Sequence, residues 1–172
     1  MSRPERGRVA SVEAFRRFYG EASPVIFRYF VRATLGDRAT AEDLTQETFA
    51  AVMVAARAGR DDALTMPWVM GVARHKLVDH YRRVGREQRR LERSWNSSAQ
   101  LTTDTDSGAD DEIVEVLRQL SAEHRLVLVL KYYEELTAEQ IASTIGRSLD
   151  ATNSLLSRAR TAFARTREEQ LS

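Results

Sequence analysis

The sequence contains no cysteine and only three histidines, three prolines and eight glycines among its 172 residues. The absence of cysteine excludes disulfide scaffolds, thiol catalysis, iron–sulfur clusters and cysteine zinc sites, and it fits a reducing cytoplasm. So few prolines and glycines are not typical of a β-rich protein with many turns, so the composition favours helix. No apolar run approaches the roughly 20 residues that span a bilayer, and no signal peptide is visible at the N-terminus. We therefore expect a cytoplasmic chain.

Charge is balanced overall but not along the chain. The formal net charge is +1, but residues 1–93 hold 18 basic and 12 acidic residues, whereas residues 94–172 hold 8 and 13. The basic excess is densest over residues 74–93, where eight Lys and Arg against three Asp and Glu give +5. A stripe of this kind neutralises phosphates, although a solvated helix face is the simpler explanation of the charge alone.

A polar segment divides the chain into two helical halves. Residues 94–111 are rich in Ser, Thr and Asp and contain no Lys or Arg, so they are predicted to form a flexible acidic linker. We therefore expect an all-α fold of two small helical domains, at residues 11–93 and 112–172, with an N-terminal tail at 1–10.

Helix signals in the first half come from caps and apolar spacing. Ser11 is predicted to cap the first helix, residues 20–24 to interrupt it, and Gly36 to end it. Residues 40–43 resemble a capping box, and Pro67 suits the first turn of a long basic helix. The predicted apolar stripe of that helix is Val69, Ala73, Leu77, Tyr81 and Val84.

The second half carries the pattern of a helix-turn-helix. A capping box at residues 137–140 opens a short helix, Ala142 is the small residue at the crossing, Gly146 suits the turn, and Leu156 holds the angle. An ordinary three-helix packing motif without DNA fits the same pattern. The second helix would turn eight residues outward: Arg147, Ser148, Asp150, Ala151, Asn153, Ser154, Ser157 and Arg158. Asn can read adenine edges, and Arg can read guanine or hold phosphate.

Several strings resemble two conserved regions of bacterial sigma factors. Those that resemble the second region lie at residues 41–49, 67–75 and 79–83. Those that resemble the fourth region lie at residues 120–125, 132–133, 141–142 and 156–160. They occur in the family's order, and no segment is left for its other two regions, which resembles the layout of the extracytoplasmic-function (ECF) group. The resemblance implies a region 2 helical bundle followed by a region 4 helix-turn-helix.

The same resemblance implies a function and its residues. The chain would be a promoter-specificity subunit and not an enzyme, without cofactor or metal, and its partners would be core RNA polymerase, promoter DNA and an anti-sigma factor. Core polymerase would be bound by Asp43, Leu44, Gln46, Glu47 and Phe49. The minus-ten element would be bound by Arg60, Asp61, Asp62, His75, Lys76, Asp79, His80, Arg82 and Arg83. The minus-thirty-five element would be read by the eight outward residues of the helix-turn-helix.

Four positions depart from the family's pattern. Basic residues are usual where this chain has Asn153 and Leu155, Asn is common at His75, and Val is typical at Thr152. The recognition helix is therefore less basic than usual, and its DNA contact is predicted to be weaker, differently specific or more dependent on polymerase. Trp68 fits either a stacking platform or the core, and the core is favoured.

An operator-binding regulator that uses only the helix-turn-helix is the alternative function. It predicts dimerisation and a footprint without polymerase, and it leaves residues 41–49 without a role.

Overall fold

The computed structural model describes the backbone of residues 4–60, 62–93 and 110–170. The helices are α1 (Pro4–Ala33), α2 (Arg38–Arg57), α3 (Met66–Arg93), α4 (Asp110–Gln119), α5 (Ala122–Leu128), a π-helical turn (Val129–Tyr133), α6 (Ala138–Ile145) and α7 (Leu149–Gln170). No strand occurs within these three ranges, and the predicted all-α fold is confirmed.

The helices form two compact units, residues 1–77 and 78–172, whose boundary falls inside α3. Residues 4–10, which were predicted as a tail, belong to α1, and residues 110–111 of the predicted linker begin α4. The rest of the predicted linker, residues 94–109, lies outside the described part of the chain.

α1 continues through the segment that was predicted to interrupt it. Pro24 lies inside the helix, while Ala22, Ile26 and Phe30 keep a spacing of four on its buried face. Pro24 has no amide hydrogen to donate to the Gly20 carbonyl. Both residues are exposed, so this carbonyl is open to water. The predicted interruption is wrong because a continuous buried face outweighs one missing helical hydrogen bond.

The helix starts in the first unit differ from the predicted ones. α1 begins at Pro4, so Ser11 lies inside it and is not its cap. α2 is capped by Asp37, whose Oδ1 accepts from the Thr40 amide at 3.0 Å and whose Oδ2 accepts from the Thr40 hydroxyl at 2.7 Å. Asp37 thus caps the start of the helix that the capping box at residues 40–43 was expected to open. Gly36, with φ +88°, follows the end of α1 as predicted.

The core of the first unit forms where α1 packs on α2. The Tyr19 ring meets the Phe49 ring edge-on, with 4.8 Å between centroids. Along the first half of α3, Val69, Ala73 and Leu77 are fully buried, which confirms this part of the predicted apolar stripe.

A buried arginine ties together the elements of the second unit. The Arg125 guanidinium donates from Nε to the Leu117 carbonyl at 3.0 Å, and from Nη2 to the Arg118 and Leu120 carbonyls at 2.6 and 3.1 Å. Its Cζ also lies 6.0 Å from the centroid of the Tyr81 ring on α3. Burial raises the pKa of Tyr81 to about 12, against the opposing effect of Arg125, so the phenol stays neutral.

Candidate functional site

The middle turns of α2 separate a buried face from a polar face. Asp43, Gln46 and Glu47 are exposed, whereas Leu44 and Phe49 are 2% and 3% exposed. The structure therefore places three of the five residues predicted to bind polymerase on one accessible surface. Leu44 and Phe49 lie beneath that surface, where they can hold the helix in position but cannot reach a partner directly.

The polar face of α2 lies beside the start of the basic stripe on α3. Lys76 Nζ is 3.2 Å from Glu47 Oε2, and both side chains are partly exposed. His75, one residue earlier, is exposed and points away from the core. Two surfaces that were predicted to meet different partners are therefore in direct contact through this ion pair.

Further along α3, the predicted minus-ten residues have unequal access to solvent. Asp79, Arg82 and Arg83 are exposed, while His80 is half-buried. Arg82 Nη1 lies 3.6 Å from Asp79 Oδ1, and its Nη2 donates to the Ile145 carbonyl at 2.7 Å. Arg82 is therefore partly engaged by protein atoms.

The loop before α3 packs back onto the helix. It begins with Gly59 at φ +81°, a conformation that favours glycine. Arg60 Nε pairs with Asp62 Oδ1 at 2.9 Å, and its guanidinium lies 5.5 Å from the centroid of the Trp68 ring. Trp68 is half-buried beneath this cation. It is therefore neither a fully buried core residue nor an open stacking platform. Asp61 lies outside the described residues.

The helix-turn-helix forms as its sequence signals indicate. Thr137 and Gln140 make a reciprocal capping box at the start of α6, with bonds of 3.2 and 2.8 Å. Gly146 takes φ +65° in the turn, and the Arg147 amide donates to the Ala142 carbonyl at 3.0 Å. The turn therefore depends on a residue that adopts the left-handed region without strain.

All eight residues that were predicted to face DNA are exposed. Ser148 caps α7 by accepting from the Ala151 amide at 3.2 Å, which fixes the start of the exposed face. Thr152, Leu155 and Leu156 are buried on the opposite side of the helix. The exposed residues are Arg147, Ser148, Asp150, Ala151, Asn153, Ser154, Ser157 and Arg158.

The structure gives physical reasons for two of the departures from the family's pattern. Leu155 is 1% exposed, so an aliphatic residue suits its position. Thr152 is fully buried, and its hydroxyl donates to the Ser148 carbonyl at 2.9 Å, so the extra polar group is satisfied. Asn153 is exposed, so it is the departure that changes the chemistry of the outward face.

Charged neighbours from α5 flank this face. Arg147 pairs with Glu123 at the turn. Partial burial, followed by the positive charge of Arg158, lowers the pKa of His124 below its usual value of 6.5, while Glu123 opposes this change. The pKa of His124 therefore depends on the charge around Arg158 on the outward face.

Two side chains of functional interest escaped sequence reasoning. Arg125 was given no role from the sequence, although an arginine among buried aliphatic residues is itself a signal of a specific partner. Tyr133 is 39% exposed next to Tyr132, which is 62% exposed.

No group of three or more histidine or acidic side chains in the described ranges is arranged to hold a metal ion. Of the helices described, none combines the length and apolar character that crossing a membrane requires.

Comparison with known proteins defines the class. The family model described as Sigma-70 region 2 matches residues 18–87, and the model described as Sigma-70, region 4 matches residues 110–163. The chain therefore carries the two helical regions of a sigma-70-type transcription factor, in their usual order.

Individual relatives show to which group of sigma factors the chain belongs. The ECF RNA polymerase sigma factor SigL of Mycobacterium tuberculosis is 34% identical over 151 residues, which cover 85% of this chain and 84% of SigL. The RNA polymerase sigma factor YlaC of Bacillus subtilis is 27% identical over 156 residues, which cover 86% of each chain. This chain belongs to the ECF RNA polymerase sigma factors. It is a promoter-specificity subunit whose partners are core RNA polymerase and promoter DNA.

A solved structure shares the fold. The sigma factor RpoE from Bartonella quintana, crystallised with the anti-sigma factor NepR, gives a TM-score of 0.54 at 20% identity. The match covers 88% of this chain and 95% of that one.

Proposed function

We propose that this sigma factor reads the minus-thirty-five element with the exposed face of α7. The observation that carries the proposal is that all eight predicted residues are exposed, while Thr152, Leu155 and Leu156, which lie among them in the sequence, are buried. Asn153 and Arg158 are both exposed on α7 but lie about 140° apart around the helix axis, so their side chains would contact different groups of a duplex. We assign base reading to Asn153 and phosphate or guanine contact to Arg158.

The polar face of α2 is our candidate for the polymerase contact. Asp43, Gln46 and Glu47 offer carboxylate and amide oxygens, which pair well with arginine on a partner. Glu47 already pairs with Lys76 at 3.2 Å, so a partner's cation at Glu47 would compete with Lys76. Binding of polymerase would then release Lys76 toward the minus-ten DNA.

The minus-ten contact is assigned to α3 and the loop before it. His75 and Arg83 are exposed about two turns apart, and Arg60 covers Trp68 at the start of the helix. Displacement of Arg60 would uncover an aromatic face on which an unpaired base can stack. The domain assignment that goes with these roles is region 2 over residues 11–93 and region 4 over residues 112–172.

An anti-sigma factor is our candidate regulator. Both units expose apolar side chains that a partner would cover: Val54 is 68% exposed in the first unit and Tyr132 is 62% exposed in the second. The Bartonella protein, which shares the fold, was crystallised with such a partner, the anti-sigma factor NepR. The partner would occlude α2 and part of the helix-turn-helix in the cytoplasm, and the sigma factor itself would act as a binding subunit rather than an enzyme.

Co-elution with core polymerase tests the assignment to α2. Purified chain should elute with core, and the variant with Gln46→Ala and Glu47→Ala should elute mostly free with unchanged helix content. Arg160→Ala, an exposed change on α7, is the matched control and should still elute with core. Equal co-elution of all three proteins would overturn the assignment.

The operator-binding alternative gives a different result in the same preparation. It predicts a DNA footprint by the free chain without core polymerase, and a dimer on gel filtration. The proposed function predicts a specific footprint only when core is present.

The anti-sigma proposal has its own test. A pull-down from the native host under non-inducing conditions should recover a protein partner at near-equal stoichiometry. Recovery of the chain free, or only with core polymerase, would contradict this part of the proposal.

A further inference from the structure

A carboxylate on α5 neutralises the first arginine of the outward face of the helix-turn-helix. Arg147 follows the turn residue Gly146 and precedes Ser148, which caps α7. Its guanidinium pairs with the carboxylate of Glu123, which lies in the first turn of α5, 24 residues earlier in the chain. The Arg147 side chain is 38% exposed and the Glu123 side chain 43% exposed, so solvent and ligands can reach both. We call this contact the turn ion pair.

The turn ion pair leaves the outward face of α7 without net charge. Among its eight outward residues, Arg147 and Arg158 are the cations and Asp150 is the one anion. Glu123 adds a second negative charge beside them, so these charges cancel. His124 adds none above neutral pH, since partial burial and Arg158 keep its pKa below 6.5. Sequence-independent attraction to DNA comes from cations that neutralise phosphates, so this face supplies little of it.

The turn ion pair also determines where the Arg147 guanidinium lies. Arg147 and Glu123 line a cleft of about 220 Å³ together with three arginines of α3, namely Arg82, Arg86 and Arg89. Without the Glu123 carboxylate, Arg147 would lie among cations of its own sign and would turn out of the cleft toward solvent. A phosphate that took Arg147 from Glu123 would leave an unpaired carboxylate close to the DNA, which repels it. Glu123 therefore disfavours a phosphate contact that Arg147 could otherwise make.

We propose that Glu123 is a positioning residue that withholds Arg147 from DNA phosphates and so lowers the affinity of the chain for non-promoter DNA. The proposal rests on the proposed function for the assignment of α7 as the minus-thirty-five reader. Base reading by Asn153 is retained, whereas one sequence-independent phosphate contact is absent. Of the consequences expected for a less basic recognition helix, this contact favours greater dependence on polymerase.

One phosphate contact has a measurable size. Each phosphate that a protein neutralises on duplex DNA contributes about 0.9 to the slope of log affinity against log salt concentration. Glu123→Gln removes the charge and nearly preserves the size of the side chain, so this slope should steepen by about 0.9. At about 0.15 M salt the same contact corresponds to about fivefold tighter binding.

Fluorescence anisotropy with a labelled duplex of random sequence measures the slope and the affinity together. The duplex is titrated with the full chain at several salt concentrations, and helix content is checked by circular dichroism. Glu169→Gln is the matched control, because it breaks an exposed ion pair with Arg165 on the same helix. This pair begins about 10 Å beyond Arg158 along α7, so the slope and affinity should equal those of the parent.

The same substitution in an Arg147→Ala background tests whether the effect passes through Arg147. Glu123→Gln should steepen the slope in the parent and leave it unchanged in Arg147→Ala. An equal change in both backgrounds would show a general charge effect and overturn the proposal. Tighter binding with an unchanged slope in the parent would show that no phosphate contact is gained, which also overturns it.

Arg158→Ala in the same titration separates this inference from the proposed function. If Arg158→Ala makes the slope shallower while Glu123→Gln changes nothing, α7 remains the DNA-binding helix and only the role of Glu123 is rejected. An unchanged slope in Arg158→Ala counts against the assigned role of α7. The comparison in the two Arg147 backgrounds still decides whether Glu123 withholds a phosphate contact.

Discussion

Replacement of Arg125 by methionine tests the physical account of the second unit. Methionine keeps much of the aliphatic volume but removes the donors to the Leu117, Arg118 and Leu120 carbonyls. The bond to Leu120 is buried, so its carbonyl loses its partner without access to water, at a cost of about 1–3 kcal/mol. The other two carbonyls are partly buried and lose about 1 kcal/mol each.

Burial of the charged arginine side chain carries a desolvation cost that the uncharged methionine avoids. Arg125 is only 9% exposed, so its charge is held largely out of water. Relief of this desolvation offsets part of the loss, and we expect Arg125→Met to reduce the free energy of unfolding by about 2–3 kcal/mol. For a unit of this size the midpoint temperature should fall by about 10–15 °C.

Urea unfolding followed by circular dichroism measures this change. The midpoint concentration should fall while the slope stays nearly constant, because the surface exposed on unfolding is unchanged. Arg160→Met, an exposed arginine on α7, is the control and should stay within about 0.5 kcal/mol of the parent. An Arg125→Met variant as stable as this control would refute the view that the three carbonyl bonds hold the unit together.

Three further predictions concern binding. Ala at both Gln46 and Glu47 should weaken the equilibrium affinity for core polymerase in a fluorescence titration, since both residues are exposed; unchanged affinity would contradict the α2 assignment. Asn153→Ala should relax base preference at one minus-thirty-five position by about 1–3 kcal/mol, whereas Arg158→Ala, if Arg158 holds phosphate, should weaken binding to all sequences alike. Competition binding with different DNA sequences distinguishes these two effects. Unchanged base preference and affinity in both variants would exclude α7 as the reader of the element. In an NMR titration the pKa of His124 should lie below 6.5 in the free chain and rise when a DNA phosphate offsets Arg158; no rise would place the phosphate elsewhere.

The same pKa shift fixes a pH dependence of stability. The fold favours neutral His124, so the unfolded chain binds the proton more readily. The contribution of His124 to stability is therefore present above pH 6.5 and is lost as the pH falls below that value. His124→Gln should flatten this part of the stability profile in urea unfolding, and an unchanged profile would show that His124 does not cause it.

Local signals made the helix-turn-helix predictable from the sequence. The capping box needs only Thr137 and Gln140, three residues apart, and the turn needs only Gly146 at a positive φ. The burial of Thr152 and Leu155 follows from the same helical period that placed Asn153 outside. Interactions between neighbours in the chain were enough in each case.

Features that depend on distant parts of the chain were not predictable in the same way. Pro24 predicts a break in the helix, and only the packed face of α1 shows that the helix continues. Arg125 is defined by carbonyls on α4 and a ring on α3, and Arg82 by a carbonyl on α6. No local sequence pattern predicts these partners, because tertiary packing brings them together.

Transcription reconstituted with core polymerase tests the central claim most directly. Core alone and core with this chain are incubated with promoter DNA from the native host, and the 5′ ends of the transcripts are mapped. The account predicts discrete start sites only when the chain is present, and a marked loss of those starts in the Asn153→Ala and Arg158→Ala double variant. Absence of chain-dependent starts, or equal starts with the double variant, would contradict promoter selection by this chain through α7.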